Sequence, residues 1–141
     1  MTHFSMWCML AAPLISGNDL RKMSPETIDV LTNKEVIAVN QDRLGVQGFK
    51  YAVKDSLEIW FKPLSENNWA VCFLNRSVNP KQVEFNWKNE NVNDEFSKRK
   101  LNASETNYKV KNLWTNKVIG TTDQILNAAV PSHDVFILRL H

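Results

Sequence analysis

The sequence predicts a mixed fold made of two unlike parts, an α/β segment over residues 1–45 and an antiparallel β-sandwich over residues 46–141. In the first part, apolar residues recur at the spacing of a helix, whereas in the second they alternate with polar residues, as in strands. Gly45 and Gly48 stand among polar neighbours where the period changes, and they mark the boundary between the parts.

An apolar run from Met6 to Ile15, interrupted by Pro13, dominates the N-terminal part. The run predicts a buried helix over residues 3–12, because proline lacks an amide hydrogen and disfavours α geometry in the residue before it. Leu14 and Ile15 then predict a short parallel strand that is buried on both faces. A helix, a turn, such a strand and a polar loop form one step of an α/β barrel. Since a complete TIM (β/α)8 barrel needs roughly 250 residues, the segment is predicted to be the last helix–strand–helix piece of an incomplete barrel.

Two further helices are predicted from their N-terminal caps. Ser24 is a good N-cap, Pro25 suits the first helical position, and Glu26 complements the positive end of the helix dipole. Asn33 predicts a second cap, for a short helix that ends near Asn40.

Alternating apolar and polar residues predict the strands of the sandwich. The segment from Trp69 to Leu74 is apolar at every position, which predicts a strand buried on both faces. Residues 88–107 are polar and rich in Asn, which predicts a long loop or a weak strand. The core is predicted to include Trp69, Val71, Phe73, Phe85 and Leu138. The strands are predicted over residues 57–62, 69–74, 82–87, 108–119 (two arms around a turn) and 135–140.

Composition and charge exclude several classes of function. A formal net charge of +2 is too small to indicate nucleic-acid binding. Cys8 and Cys72 lie in apolar runs and predict free buried thiols, with a disulfide as the minor alternative. Neither has metal-ligand spacing, so no metal and no cofactor is predicted.

The N-terminal run is too short to span a bilayer and lacks the features of a signal peptide, so no membrane partner is predicted. Asn75 and Asn102 each begin an N-glycosylation triplet, which matters only in a secreted eukaryotic protein.

Two sequence blocks in the N-terminal part resemble a known enzyme family. One is Ala-Ala-Pro-Leu followed by Asn-Asp-Leu-Arg, within residues 2–21, and the other is Val-Ile-Ala-Val-Asn-Gln-Asp, residues 36–42. At this separation they closely resemble the end of the catalytic barrel in α-galactosidases of glycoside hydrolase family 27, the melibiase type. Arg43 stands where the family often has proline, a difference that affects the linker. Weaker similarities to the family's C-terminal domain follow in order at Ile59-Trp60, Pro63-Leu64, Trp69-Ala70-Val71, Asn75-Arg76 and Leu113-Trp114-Thr115.

The resemblance implies a glycosidase reaction whose catalytic groups lie outside this chain. The family acts on terminal α-linked galactose by a retaining mechanism, in which one carboxylate attacks the anomeric carbon and a second acts as acid and then base. In such enzymes both catalytic aspartates belong to earlier barrel strands, so no catalytic residue is assigned here. Asn18, Asp19 and Arg21 follow the predicted strand at the end of the barrel where active sites lie, and they are predicted to support the site without taking part in the chemistry.

The leading hypothesis is therefore a C-terminal fragment of an α-galactosidase, inactive by itself, whose parent enzyme binds α-galactosides. The alternative is a stand-alone β-sandwich that binds carbohydrate or serves as a scaffold, which an exposed Trp60 would favour. An active small glycosidase is disfavoured because most of the barrel is missing. Without its barrel partners, the helix before Pro13 would expose apolar side chains, which predicts self-association. The family is often secreted, periplasmic or lysosomal, and the compartment of this chain is left open.

Overall fold

A computed structural model describes all residues of the chain, 1–141. Three short helices precede a fold that is mostly antiparallel sheet: α1 (Thr2–Met9), α2 (Pro25–Leu31) and α3 (Lys34–Asn40). None of them is long and apolar enough to cross a membrane. The strands are β1 (Phe49–Lys54), β2 (Leu57–Pro63), β3 (Trp69–Asn75), β4 (Lys81–Phe85), β5 (Lys109–Asn112), β6 (Lys117–Thr121), β7 (Leu126–Val130) and β8 (Val135–Leu140).

The strands form two antiparallel sheets that enclose the main core. Six strands pair in the order β1-β2-β3-β8-β5-β6, and β4 pairs with β7 in a second sheet. Aromatic rings fill the space between the sheets: the ring centroid of Phe61 lies 6.4 Å from that of Trp69 and 6.3 Å from that of Phe85. The predicted sandwich is confirmed, and its core contains the five residues predicted for it, Trp69, Val71, Phe73, Phe85 and Leu138.

Helices α1 and α3 cover the outer face of the six-stranded sheet. Cys8 and Met9 of α1 and Val36 and Val39 of α3 are fully buried there. Residues 69–74 of β3 are all apolar because the two faces of the strand belong to two different cores, the sandwich interior and this second core. The sheet contributes Ala70, Cys72, Leu74, Val135 and Ile137 to the second core.

The predicted caps explain where α2 and α3 begin. The Ser24 hydroxyl accepts a hydrogen bond from the Thr27 amide at 3.2 Å, and the side-chain oxygen of Asn33 accepts one from the Val36 amide at 3.0 Å. Each cap thereby satisfies one of the backbone donors that a helix start leaves without a partner.

Helix α1 ends at Met9, earlier than the predicted end at residue 12. Ala11 adopts the left-handed conformation with φ of 53°, and its amide bonds back to the carbonyl of Cys8 at 3.4 Å. The amide of Ala12 bonds to the carbonyl of Trp7 at 3.0 Å. This pair of bonds is a Schellman motif, and it ends the helix before Pro13 is reached.

The prediction of a strand at Leu14 and Ile15 is wrong. Both residues lie in an irregular segment, and 78% of Ile15 is exposed. A buried parallel strand needs neighbours to pair with, but every strand of this chain belongs to the two antiparallel sheets. The segment therefore has no partner within the chain.

Asn75 ties together the loops at one end of the sandwich. Its side chain is fully buried, and its amide nitrogen donates to the carbonyls of Asn79 at 2.8 Å, Val130 at 3.1 Å and Pro131 at 3.0 Å. Its side-chain oxygen accepts from the amide and the hydroxyl of Ser77 at 2.9 and 2.7 Å. One side chain thus replaces the regular backbone pairing that the loops lack.

Cys8 and Cys72 are free and buried. Burial raises the pKa of the Cys8 thiol to about 12, although the nearby charge of Lys62 opposes the shift. Burial also raises the pKa of Cys72. Both thiols are therefore protonated at neutral pH and behave as small apolar residues, as predicted.

Candidate functional site

The predicted site residues lie in an exposed loop that follows the irregular segment at Leu14. The Asp19 carboxylate accepts a hydrogen bond from the Arg21 amide at 3.1 Å and pairs with one edge of its guanidinium through both oxygens, at 3.0 Å from Nε and 3.1 Å from Nη2. The backbone amide of Asn18 donates to the Ser16 hydroxyl at 3.4 Å. The structure thus brings Asp19 and Arg21 together as the cap of a 3₁₀ turn, Leu20–Lys22.

Asp19 is ionised at neutral pH. The side-chain hydrogen bonds from Arg21, followed by the one from the Arg21 backbone amide, hold the pKa of Asp19 below its ordinary value. A general acid requires a raised pKa, so this carboxylate lacks the property that protonation of a leaving group demands.

The second carboxylate of the sequence block, Asp42, has its own set of partners. It accepts from the Ser65 amide and hydroxyl, both at 2.8 Å, and from the Leu44 amide at 3.0 Å. Burial alone would raise the pKa of Asp42, but these hydrogen bonds and the charge of Arg139 lower it overall. A retaining glycosidase needs two carboxyl groups about 5–5.5 Å apart, whereas Asp19 and Asp42 are engaged in separate structural contacts. No group of three or more His, Cys, Asp or Glu residues is arranged to hold a metal ion.

The most constrained polar contacts lie where α1 meets the sheet, at a seam formed by Cys8, Met9, Gly48 and Lys62. The Gly48 amide donates to the Met9 carbonyl at 2.7 Å, and the Lys62 ammonium donates to the Cys8 carbonyl at 3.0 Å. A Cβ on Gly48 would lie 2.8 Å from the Met9 carbonyl oxygen, so only glycine allows this approach. The seam therefore fixes the C-terminal end of α1 against the sheet.

Lys62 is the residue of the seam whose burial the sequence did not reveal. Only 1% of the residue is exposed, and its charge lies at the negative end of the α1 dipole, where cations are favoured. Burial lowers the pKa of Lys62, and the charge of Asp42 opposes that shift. Alternation places Lys62 on the polar side of β2. The sequence indicates the burial of Lys62 only indirectly. Residues 69–74 of the neighbouring strand β3 are all apolar, so the outer face of the sheet must be covered.

Further polar contacts join the helices to the sandwich and to one another. The Trp114 indole donates to the buried hydroxyl of Ser5 at 3.1 Å, and Lys111 pairs with Glu35 at 2.8 Å. The Asn40 side chain donates to the Ala12 carbonyl at 2.8 Å. These directed bonds set the orientation of the N-terminal segment on the sandwich.

Trp60 does not present a free aromatic face. The residue is half-buried and packs against the second core, and its indole donates to Glu58 at 2.9 Å. The ammonium of Lys50 lies 5.4 Å from its ring centroid. A cation thus already occupies one side of the ring, so Trp60 gives no support to a sugar-binding platform.

Apolar side chains around the irregular segment remain partly uncovered. Trp7 is 45% exposed and Leu20 is 74% exposed. A cavity of about 170 Å³ lies between α1, α3 and this segment, lined by Phe4, Trp7, Leu14, Ile15, Ser16, Leu31 and Ile37.

Fold and contacts together define a class of protein: an antiparallel β-sandwich whose larger sheet carries an α/β segment docked on its outer face. Two family profiles match the chain in order, one described as "Alpha galactosidase A" over residues 1–42 and one described as "Alpha galactosidase C-terminal beta sandwich domain" over residues 54–140. The chain belongs to the melibiase-type α-galactosidases of glycoside hydrolase family 27 and corresponds to their C-terminal portion.

Individual relatives give the same result. The chain is 43% identical over 138 residues to an α-galactosidase A of Cellvibrio japonicus, covering 98% of this chain and 34% of that protein. It is 38% identical over 133 residues to an α-galactosidase of Oryza sativa, covering 94% of this chain and 29% of the relative. The crystal structure of α-galactosidase I from Mortierella vinacea superposes with a TM-score of 0.82 at 28% identity, over 98% of this chain and 34% of that one. The chain thus spans about a third of the length of these relatives.

Proposed function

We propose that this chain supplies the C-terminal part of an α-galactosidase that releases terminal α-linked galactose from oligosaccharides and glycoconjugates. The observation that carries the proposal is the match of both parts of the chain, in order, to the α-galactosidase family. The parent enzyme would use the retaining two-carboxylate mechanism, with both catalytic aspartates on barrel strands that precede the residues of this chain.

In this proposal residues 1–45 are the terminal piece of the catalytic barrel and residues 46–141 form the sandwich domain. The role of the chain is to close the barrel and to cover it with the sandwich. The seam at Gly48 and Lys62 supports this role, because it holds the barrel piece in one orientation through directed bonds. Asn18, Asp19 and Arg21 act as a structural loop near the barrel end, without contact to the reacting atoms.

A chimera tests the proposal. Residues 1–141 replace the corresponding C-terminal third of the Cellvibrio japonicus α-galactosidase A, and hydrolysis of an aryl α-galactoside is measured. We expect turnover comparable with that of the parent, release of the α-anomer of galactose first in an NMR time course, and no turnover from residues 1–141 alone. A folded but inactive chimera, or turnover by the isolated chain that survives repurification and disappears in Asp19→Asn, would contradict the proposal.

A second candidate is a stand-alone sandwich module that binds carbohydrate or serves as a scaffold. This candidate is favoured by the packing of the N-terminal segment on the sandwich, where four of its apolar residues are fully buried, Cys8, Met9, Val36 and Val39. The candidates differ in the state of the isolated chain. The α-galactosidase proposal expects self-association through Trp7, Ile15 and Leu20, whereas a module should be a monomer.

Size-exclusion chromatography with light scattering separates these candidates. Under the α-galactosidase proposal, residues 1–141 elute as a concentration-dependent oligomer that binds an apolar dye, because exposed apolar patches drive association. The triple variant Trp7→Ser, Ile15→Ser, Leu20→Ser should be more monomeric. A wild-type chain that is monomeric and binds no dye would favour the module.

A further inference from the structure

The inner face of the six-stranded sheet is wider than the sheet that covers it. The second sheet has only two strands, β4 and β7, and Trp87, Val92, Leu101 and Ala103 from the connection after β4 complete the core. Val110 and Asn112 pair with Leu140 and Leu138, which belong to the core, so both side chains lie on the inner face. A pocket of about 400 Å³ opens at this place, and its wall includes the half-buried Phe136 and the buried Trp87.

The lining of this pocket is apolar with a few neutral polar groups. Ile119, Ile125 and Leu126 contribute apolar surface, and Ile119 and Ile125 are about half exposed in the free chain, at 45% and 49%. The polar groups are the side chains of Asn112, Thr121, Gln124 and Asn127, and no residue of the lining carries a charge. Pockets of this size that combine apolar walls with a few polar groups are the usual form of small-molecule sites.

Trp87 and Asn112 of the pocket wall have hydrogen-bonding capacity that the chain does not use. Only 1% of Trp87 is exposed, yet its indole nitrogen has no acceptor within the chain. The side-chain oxygen of Asn112 accepts from the amides of Trp114 and Thr115 at 3.0 and 3.2 Å, which leaves its amide protons for other acceptors. Because the buried Trp69 indole nitrogen also has no acceptor, the unused Trp87 donor does not by itself indicate a ligand, and the amide protons of Asn112 are the free donors of the pocket wall.

Gln124 is placed to complete the site. Its side-chain oxygen lies 3.0 Å from the position that a Cβ would take on Gly120, so the missing side chain of Gly120 lets Gln124 lie against β6. Amide groups both donate and accept, as a hydroxyl group does. A ligand that suits this wall is therefore uncharged, carries several hydroxyl groups and has an apolar face for Phe136 and Ile119.

We propose that this pocket, between β5, β6 and the start of β7, binds a single neutral pyranose unit of a carbohydrate. The site lies on the sandwich, and it uses no catalytic residue. It would hold a galactoside chain next to the enzyme without cleaving it. The inference does not depend on catalysis, because every residue that it uses belongs to residues 87–136 of this chain.

Indole resonances provide the test. The chain has five tryptophans, and the Trp69 indole is also buried without an acceptor but lies outside the pocket lining. Residues 1–141 labelled with nitrogen-15 are titrated with methyl α-galactopyranoside. We expect the Trp87 indole resonance to shift in a saturable manner while that of Trp69 stays in place.

Two matched variants sharpen the test. Gln124→Ala should weaken the apparent affinity roughly tenfold through the loss of one hydrogen-bonding group, whereas Gln82→Ala, in a pocket at the opposite edge of the sandwich, should leave it unchanged. Asn127→Ala provides a second variant in the site, at an exposed position that the fold tolerates. Absence of a saturable Trp87 shift, equal shifts of Trp87 and Trp69, or unchanged affinity in both Gln124→Ala and Asn127→Ala would overturn the proposal. If the Trp87 resonance shifts when the compound indole is added but not when methyl α-galactopyranoside is added, the assignment of a sugar as the ligand is overturned.

Discussion

The two faces of the six-stranded sheet are covered in different ways. On the inner face, aromatic rings such as Phe73 and Phe85 interdigitate, with centroids 5.4 Å apart. On the outer face, the apolar contacts of α1 and α3 are accompanied by a buried lysine and a backbone contact that only glycine allows. The inner face is thus stabilised mainly by filled volume, whereas the outer face also depends on directed bonds that fix one orientation. This difference suits a sandwich domain that must fold stably and also hold the N-terminal segment in one orientation.

The largest expected effect is the loss of a ring from the inner face. Phe73→Ala should reduce the free energy of unfolding by about 3–5 kcal/mol, because the ring is fully buried and its removal leaves a cavity. Urea denaturation followed by tryptophan fluorescence measures the change. The control is Phe96→Ala, at a position that is 79% exposed, which should change stability by less than about 0.5 kcal/mol. Equal effects of the two variants would contradict the assignment of the core.

The seam should respond to a single added methyl group. Gly48→Ala is expected to cost about 1–3 kcal/mol, since its Cβ would lie 2.8 Å from a backbone oxygen that cannot easily move. Gly17→Ala is the matched control, because no atom lies within 4 Å of the Cβ that it would add. Hydrogen exchange should show faster opening of α1 in Gly48→Ala than in the control. If α1 exchanges alike in both variants, the seam does not anchor the helix.

The buried charge of the seam should give a smaller effect that depends on pH. Lys62→Met keeps most of the packing but removes the donor to the Cys8 carbonyl, so we expect a loss of about 1–2 kcal/mol at neutral pH. Lys117→Met, at an exposed position, is the control.

The sign of the pH dependence follows from the direction of the pKa shift. Burial lowers the pKa of Lys62 in the folded chain below the usual value of 10.5, so between those two values the unfolded chain binds more protons than the folded chain. The stability of the wild type should therefore rise with pH in this window, relative to Lys62→Met, and stop rising above the usual value. Parallel stability curves for wild type and variant across the window would rule out a perturbed lysine.

The smallest effect is expected at the exposed loop. Asp19→Asn removes one partner of an ion pair that lies in solvent, where such pairs contribute little. We expect no measurable change in stability of the chain, and unchanged kcat in the chimera with the Cellvibrio japonicus enzyme. A large loss of kcat with unchanged folding would instead place Asp19 in the catalytic machinery.

A regular alternation or a continuous apolar run makes a strand predictable from the sequence, whereas two strands with little periodic contrast were not predicted. Strand β2 shows apolar residues at Leu57, Ile59 and Phe61, and it was predicted correctly. Strand β1 was missed because a bulge between Lys50 and Ala52 interrupts its period. Strand β7 was missed because Asn127, Ala128 and Ala129 give little contrast between its faces.

Prediction at the seam failed for a different reason. A lysine in an alternating strand predicts a solvated face, and nothing local distinguishes Lys62 from Lys50, which is exposed on β1. Its burial depends on α1, which is far away in the sequence. The error at Leu14 and Ile15 is the reverse, because burial was predicted there and exposure is observed. These residues have the composition of a buried strand, but no strand lies beside them.

The buried amide of Asn75 has a consequence for biosynthesis in a secretory host. Asn75 and Asn102 both begin acceptor triplets, but the nitrogen that would carry a glycan at Asn75 is enclosed by three carbonyl groups. Sugar transfer at that position would compete with folding, and a chain modified there could not close its loops. Asn102 is half-buried, its amide nitrogen donates only to the exposed Glu105, at 2.6 Å, and its oxygen accepts from the Ser104 hydroxyl at 3.0 Å. Folded material from such a host should therefore carry its glycan at Asn102 alone, whereas peptide mapping of the misfolded fraction should recover glycans at Asn75.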